Sequence, residues 1–382
     1  MNEKYTLHVL GVPHTITSKE FVACAFTQKA YKFCQMMKAR GHTIIHYGHE
    51  ESQLDCDEHV SVLSSDQWKE CYGDYDWRTN TFKYDMEDSA YQTFRKNAIE
   101  EIGKRKQPND FILPFWGHPM KPICDAHPDL ITVEPGIGYA YGHFARFKVF
   151  ESYAIHSAYY ALPSVSHCNE DWYDVVIPNY FDNNDFEYSD QKEDYFLFLG
   201  RVYEGKGVHI AIQVAQELGV KLVIAGQGSI RDMGYEPNEN IIEFGYANAE
   251  ARKNLMSKAK GAFVASMYNE PFAGVQIECM LSGTPVISTD WGALAELNLH
   301  GYTGYRCRTF EHFLWAAKNI DTIKPQDCRT WGENFLYDKV APMYEEYFSS
   351  ILNIYGKKGW YEPNETRTDL NWLRKEYPLN RR

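Results

Sequence analysis

The stretch Ser266–Gly283, SMYNEPFAGVQIECMLSG, holds the residues best suited to chemistry. It follows an apolar run, Ala262–Ala265, that reads as a buried strand. Glu270 stands in the loop after that strand, and Pro271 marks a place where helices commonly begin. Phe272–Leu281 then reads as a helix, stopped by Ser282-Gly283 and Pro285. This arrangement predicts free backbone N–H groups at Phe272, Ala273, Gly274 and Val275. Together with the helix dipole they make an anion site, and Gly274 lets a ligand come close to the backbone. Glu278 lies about one turn inside the same helix. Two carboxylates are poorly suited to holding phosphate and well suited to accepting from hydroxyls. The pattern therefore offers amides to a phosphate and acids to sugar on either side of it. Acidic residues are favoured near a helix start in any case, so two ordinary surface charges fit the same spacing.

A second element, Gly200-Arg201-Val202-Tyr203-Glu204-Gly205-Lys206-Gly207, lies between the strand Tyr195–Leu199 and the amphipathic helix Val208–Leu218. That position is the carboxyl end of a parallel strand, where such sheets bind ligands. Arg201 as a fork and Lys206 as a point charge suit a diphosphate. They also suit a leaving group that gains negative charge. A solvated loop would carry the same residues. A third element, Leu222-Val223-Ile224-Ala225-Gly226-Gln227-Gly228, places Gly226 and Gly228 after a strand, where backbone can approach phosphate or sugar. It opens like a dinucleotide fingerprint, but Arg231 stands where the third glycine belongs and no acid ends the next strand.

These elements need scaffolds. Short apolar runs at Thr6–Val12, Thr43–Tyr47, Asp110–Phe115 and Leu130–Val133 alternate with helical segments, of which Phe21–Ala39, closed by Arg40-Gly41, is the clearest. The second half continues with Leu222–Ala225, Ile241–Phe244, Ala262–Ala265 and Pro285–Ser288 as strands. Continuous apolar strands between helices predict α/β architecture with parallel sheets covered on both faces. The length of 382 residues suits two domains. Pro178–Asp194, rich in turn formers and charge, is the expected linker. The expected boundaries are 1–180, 181–340 and a C-terminal segment, 341–382, with the helix Pro342–Tyr355 and a polar, aromatic tail from Lys357.

The composition narrows the function classes. Hydrophobic residues are 44% and charged residues 24%, a globular balance. A net charge of −13 disfavours nucleic acid and anionic membrane as partners. Nine cysteines, an odd number with no C-x-x-C pair, argue against a disulfide framework or structural zinc and predict a reduced, cytoplasmic setting. The N-terminus reads as a first strand rather than a signal peptide. No run approaches the ~20 apolar residues of a membrane span, so a soluble protein is expected.

Taken together, LFLGRVYEGKGVHIAI, LVIAGQG, IIEFGYA and NEPFAGVQIECMLSGTPVISTDWGALAE resemble glycosyltransferase family 4, whose signature is two glutamates with seven residues between them, met by Glu270 and Glu278. The resemblance covers about residues 174–300. It implies a GT-B fold: two Rossmann-like domains with parallel sheets facing each other across a deep cleft. It implies a retaining hexosyltransferase using a UDP- or GDP-linked sugar and an acceptor hydroxyl on a glycan or glycoconjugate. Arg201 and Lys206 would hold the diphosphate, Glu278 the ribose hydroxyls and Glu270 a hydroxyl of the transferred sugar. The amides of Phe272–Val275 would face the phosphates and sugar, Gly200 and Gly226 with Gly228 would line the pocket, and backbone near Tyr246 would border the base.

In the N-terminal half, Gly11 after the first strand sits where the family has a glycine-containing loop. Glu134, in DLITVEPGIGYAYGH, stands about where the family has a histidine near the transferred sugar, and His118 and His143 are nearby alternatives. Asp55-Cys56-Asp57 and Asp74-Tyr75-Asp76 are D-x-D strings of the kind that bind metal in the other large glycosyltransferase fold. Neither follows a long buried strand, and with Arg201, Lys206 and helix amides on the diphosphate no metal or other cofactor is expected. An epimerase or phosphorylase on the same fold, and an NAD-dependent dehydrogenase, are the rival expectations. The sequence leaves the oligomeric state open.

Overall fold

The computed structural model describes residues 3–78, 80, 82–139, 141–162 and 173–355. The tail from Lys357 lies outside the described residues. The described chain forms two compact units. The first gathers residues up to Glu151, then 158–180 and 340–355; the second gathers 152–157 and Phe181–Lys339.

In the first unit the described strands are β1 (Thr6–Leu10), β2 (Thr43–His49), β3 (Glu58–Leu63), β4 (Phe111–Pro114), β5 (Ile131–Ile137), β6 (Phe147–Phe150) and β7 (Val175–Val176). They pair in the order β3-β2-β1-β4-β5-β6-β7, all parallel. In the second unit β8 (Glu193–Leu199), β9 (Leu222–Ala225), β10 (Ile241–Gly245), β11 (Ala259–Val264), β12 (Val286–Thr289) and β13 (Gly304–Cys307) pair in the order β10-β9-β8-β11-β12-β13, also parallel. Both units are Rossmann-like. In each, the strand order reverses at the first strand, between β1 and β4 and between β8 and β11. Ligands of open parallel sheets bind at the carboxyl ends of strands beside such a switch point.

The central strands are buried along their length because helices cover both faces. Phe196, Leu197, Phe198 and Leu199 of β8 and all of β9 are buried. The helix Val208–Leu218 turns Val208, Ala211, Ile212, Val214 and Ala215 inward and ends at Gly219, whose φ is 64°. Each of the valine and isoleucine side chains contributes roughly 1.5–3 kcal/mol by leaving water. In the first unit, residues 340–355 supply Tyr344, whose hydroxyl donates to Pro135 O at 2.6 Å, and Phe348, whose ring packs against Tyr5 and Phe111.

Several elements differ from expectation. The first helix runs Ala25–Ala39, not from Phe21, because Phe21 and Val22 are held in turns to Ser18 O and Glu20 O. β3 and β6 were not expected. β3 is a half-buried edge strand that mixes Glu58, His59 and Ser61 with its apolar residues. β6 carries Lys148 at its centre, buried and paired with Asp174 at 3.2 Å. Within 178–194, Phe181 donates its N–H to Phe335 O and accepts from Tyr337 N, and Glu193-Asp194 begin β8. The last helix begins at Tyr337 and carries Pro342 inside it.

Candidate active site

In the second unit the two loops after β8 and β11 meet at the switch point. Arg201 is exposed, with its guanidinium 5.5 Å from the Tyr203 ring. Glu204–Lys206 forms a 3-10 turn that leads into Gly207. Gly207 has φ 70°, and a Cβ there would lie 1.9 Å from Ala265 O, so only glycine lets the two loops touch. Met267 N donates to Gly205 O at 2.9 Å and closes the contact.

That contact delivers Lys206 to Glu270. Lys206 Nζ donates to Glu270 Oε1 at 2.5 Å, and Ser266 Oγ donates to the same oxygen at 2.6 Å. Glu270 is buried, its side chain 7% exposed against 23% for Lys206. The ammonium also lies 4.9 Å from the Tyr268 ring. Burial and the adjacent Glu270 carboxylate push the Tyr268 hydroxyl well above its ordinary range, so it stays protonated.

The helix after Glu270 begins at Gly274, two residues later than expected. Phe272 is drawn out of the helix by its ring, which packs against Phe181 and Phe335. Ala273 takes the cap position in the left-handed region, with φ 59°. A non-glycine residue there costs roughly 1–2 kcal/mol, and such strain concentrates at functional sites. Among the described residues, the N–H groups of Phe272–Val275 reach no acceptor. They form a turn of unused donors beside Glu270. One turn on, Glu278 Oε2 accepts from Arg252 Nη2 at 2.5 Å. The two glutamates are therefore each paired with a cation, which removes the difficulty of two bare carboxylates beside an anion.

Asn269, the start of the helix Gly292–Leu297, Ala154, Met267 and Trp291 line an open cavity of about 600 Å³ next to this cluster. Gly292 has φ 58°, and a Cβ there would sit 2.1 Å from Asn269 Oδ1. Gly226 and Gly228 are explained by packing: added Cβ atoms would fall 1.8 Å from Gly200 O and 2.7 Å from Val202 O. The stretch Gly200–Val202 is zipped to the β9 end by Gly200 N to Ala225 O and Val202 N to Gln227 O. Tyr246 follows β10 and Gly245, whose φ is 79°.

In the first unit His118, His143 and Glu134 are joined through the loop 139–145. Gly11 follows β1 and is packed, with a Cβ there 3.0 Å from Tyr47 O. His118 is exposed at the start of a 3-10 turn, its N–H donating to Gly142 O. Glu134, expected on the acceptor side, is fully buried. Its carboxylate accepts from Tyr139 Oη at 3.0 Å, Phe144 N at 3.1 Å and Ala145 N at 3.0 Å, fastening the loop 139–145. His143 is stacked on Tyr139 with both ring nitrogens buried, and burial lowers its pKa to about 4. Of the D-x-D strings, Asp57 pairs with Lys38 and accepts from Ile44 N, and Asp76 accepts from Arg78 N.

Burial raises the Glu134 pKa to about 7 from an ordinary 4.5. The folded protein thus keeps this proton where the unfolded chain has released it. Between those values the unfolded state binds fewer protons, so stability falls as pH rises, by about 3 kcal/mol at most. A glutamine at this position would keep the shape and the acceptor for Phe144 and Ala145 while removing the titration. Glu134→Gln is expected to match the wild type in thermal unfolding at pH 4 and to exceed it by a margin that grows to about pH 7 and then levels off. Parallel curves would contradict this.

The second unit is similar to a known family. Residues 181–334 match the family model of glycosyl transferases group 1. The matched segment holds β8–β13, the paired glutamates and the amide turn. An uncharacterized glycosyltransferase of Methanocaldococcus jannaschii is 30% identical over 171 residues, 41% of this chain and 41% of that protein. The chain spans less than half the length of the curated relatives it matches. Among solved structures, AviGT4, a glycosyltransferase involved in avilamycin A biosynthesis, is similar with TM-score 0.65 and 17% identity over 91% of this chain and 98% of that one. Anabaena HepE in complex with UDP and glucose is similar with TM-score 0.64 and 14% identity over 91% and 100%. The fold is that of the GT-B glycosyltransferases. Among the described residues no helix is long and apolar enough to cross a membrane.

Three residues beside the cluster are not marked by the sequence: Ser266, Arg252 and Trp291 at the cavity wall. Ser266 only opens the motif after the strand. Arg252 is 26 positions from its partner and carried no local signal.

Proposed function

We propose that the chain is a metal-independent, retaining glycosyltransferase of family 4. It moves a hexose from a UDP- or GDP-linked sugar to an acceptor hydroxyl on a glycan or glycoconjugate. The observation that carries this reading is the cluster at the β8–β11 switch point: Lys206 on Glu270, with the unused amides of Phe272–Val275 beside them.

In this reading the diphosphate lies on the amide turn, with Arg201 and Lys206 as its side-chain cations. Lys206 is shared between diphosphate and Glu270. Glu270 accepts from a hydroxyl of the transferred sugar, whose ring has room in the cavity walled by Trp291 and Asn269. Glu278 accepts from the ribose. The C1–O bond to the diphosphate breaks, the leaving oxygen gains charge, and the cations and amides stabilise it. The acceptor oxygen bonds to C1 from the same face and passes its proton to the leaving phosphate, so configuration is kept. Glu270 Oε1 is already engaged by an ammonium and a hydroxyl, which suits an orienting acceptor better than a covalent nucleophile. His118 remains a candidate on the acceptor side because it is exposed at the end of β4.

Incubation with UDP-glucose, UDP-N-acetylglucosamine, GDP-mannose and ADP-glucose tests this. Release of nucleoside diphosphate from one donor is expected, with the anomeric configuration of the product matching that donor by NMR. Inverted product would overturn the retaining assignment, and four intact donors would overturn the activity.

A further inference from the structure

We propose that Arg252 is a positioning residue for the nucleoside half of the donor, acting through Glu278. This rests on the reading of Glu278 as the ribose acceptor. Arg252 stands on the helix Ala249–Lys258, which is capped by Asn248, its Oδ1 accepting from Ala251 N at 2.9 Å. That helix follows β10 closely, so only Ala247 and Asn248 separate Tyr246, expected to border the base, from the helix start. Glu278 stands on the next helix, Gly274–Leu281, beyond β11. The ion pair at 2.5 Å therefore ties the segment next to the base to the carboxylate next to the ribose.

Both side chains are largely shielded, 22% exposed for Arg252 and 15% for Glu278. Arg252 fixes the Glu278 rotamer before the nucleoside arrives, so binding need not order it. A carboxylate has about four acceptor sites, so an arginine contact leaves capacity for hydroxyl donors. Glu270 and Lys206 repeat the device on the sugar side. There the cation also reaches the diphosphate, whereas Arg252 acts at the ribose alone.

The assignment makes a ribose-specific prediction. UDP, GDP and their 2′,3′-dideoxy analogues are titrated calorimetrically into wild type, Arg252→Gln, Arg252→Lys and Glu278→Gln. Arg252→Gln is expected to weaken the cognate ribonucleotide about tenfold, as loss of a charge-assisted hydrogen bond does. The dideoxy analogue should bind as it does to wild type. Arg252→Lys, which keeps the charge without the fork, should show the same ribose-specific loss at about threefold. Turnover at saturating donor should stay near wild type, giving an effect on KM and not on kcat. A loss shared by the dideoxy analogue in either variant would reduce Arg252 to general support. Wild-type affinity in both arginine variants, with Glu278→Gln impaired, would overturn the role of Arg252 and leave the donor reading standing. Wild-type affinity in Glu278→Gln would overturn the ribose reading and this inference with it.

Discussion

Lys206→Ala is expected to lower turnover by about 10²- to 10³-fold, the range seen when one preorganised donor to a developing oxyanion is removed. Lys206 has two tasks in the proposed mechanism. It stabilises the departing phosphate, and it holds Glu270 through the contact at 2.5 Å. Its removal leaves Glu270 Oε1 with Ser266 Oγ and takes an ammonium from the reaction centre. The loss should therefore fall on kcat more than on donor KM, because the charge it meets is greatest in the transition state. Lys206→Arg should recover only part of it. The turn Glu204–Lys206 must deliver a compact charge past Gly207, whose contact with Ala265 O admits no side chain. Steady-state kinetics under saturating donor measure this. Turnover within a few-fold of wild type would remove Lys206 from the mechanism.

Glu278→Ala is expected to weaken binding of the nucleotide sugar and of the free nucleoside diphosphate alike, by about 10- to 100-fold. The change removes acceptors for the ribose and strands Arg252, whose side chain is only 22% exposed and would lose its carboxylate. Since ribose contacts change little during transfer, kcat at saturation should fall much less than affinity does. Calorimetry on both ligands distinguishes this from the Lys206 result. Equal affinities in variant and wild type would place the ribose elsewhere.

The fold was legible wherever information was local. β8 and β9 announced themselves as continuous apolar runs. The helix Val208–Leu218 carried its periodicity and its glycine stop, and Glu270 and Glu278 stood at a recognisable spacing. Information carried by distant partners was not legible. Nothing near Lys206 in the chain points to Glu270, 64 positions away, and the two meet only because β8 and β11 are neighbours in the sheet. The start of the helix at Gly274 was misplaced because Phe272 is claimed by rings at 181 and 335. Gly226 and Gly228 suggested a ligand cradle, yet the crossing of the 200–202 backbone already requires them. Glu134 stands where the resembled family has a histidine, and the sequence gives no sign that its carboxylate holds Tyr139, Phe144 and Ala145. β6 was overlooked because a lysine at the centre of a strand looks exposed until Asp174 is found beside it.

The most direct test of the central claim is a crystal structure of the protein with a nucleoside diphosphate bound. The account predicts the β-phosphate within hydrogen-bond distance of Lys206 Nζ and of the amides between Phe272 and Val275, and the ribose hydroxyls on Glu278. A diphosphate bound away from the β8–β11 loops, with Lys206 still closed on Glu270 and the amide turn vacant, would contradict it.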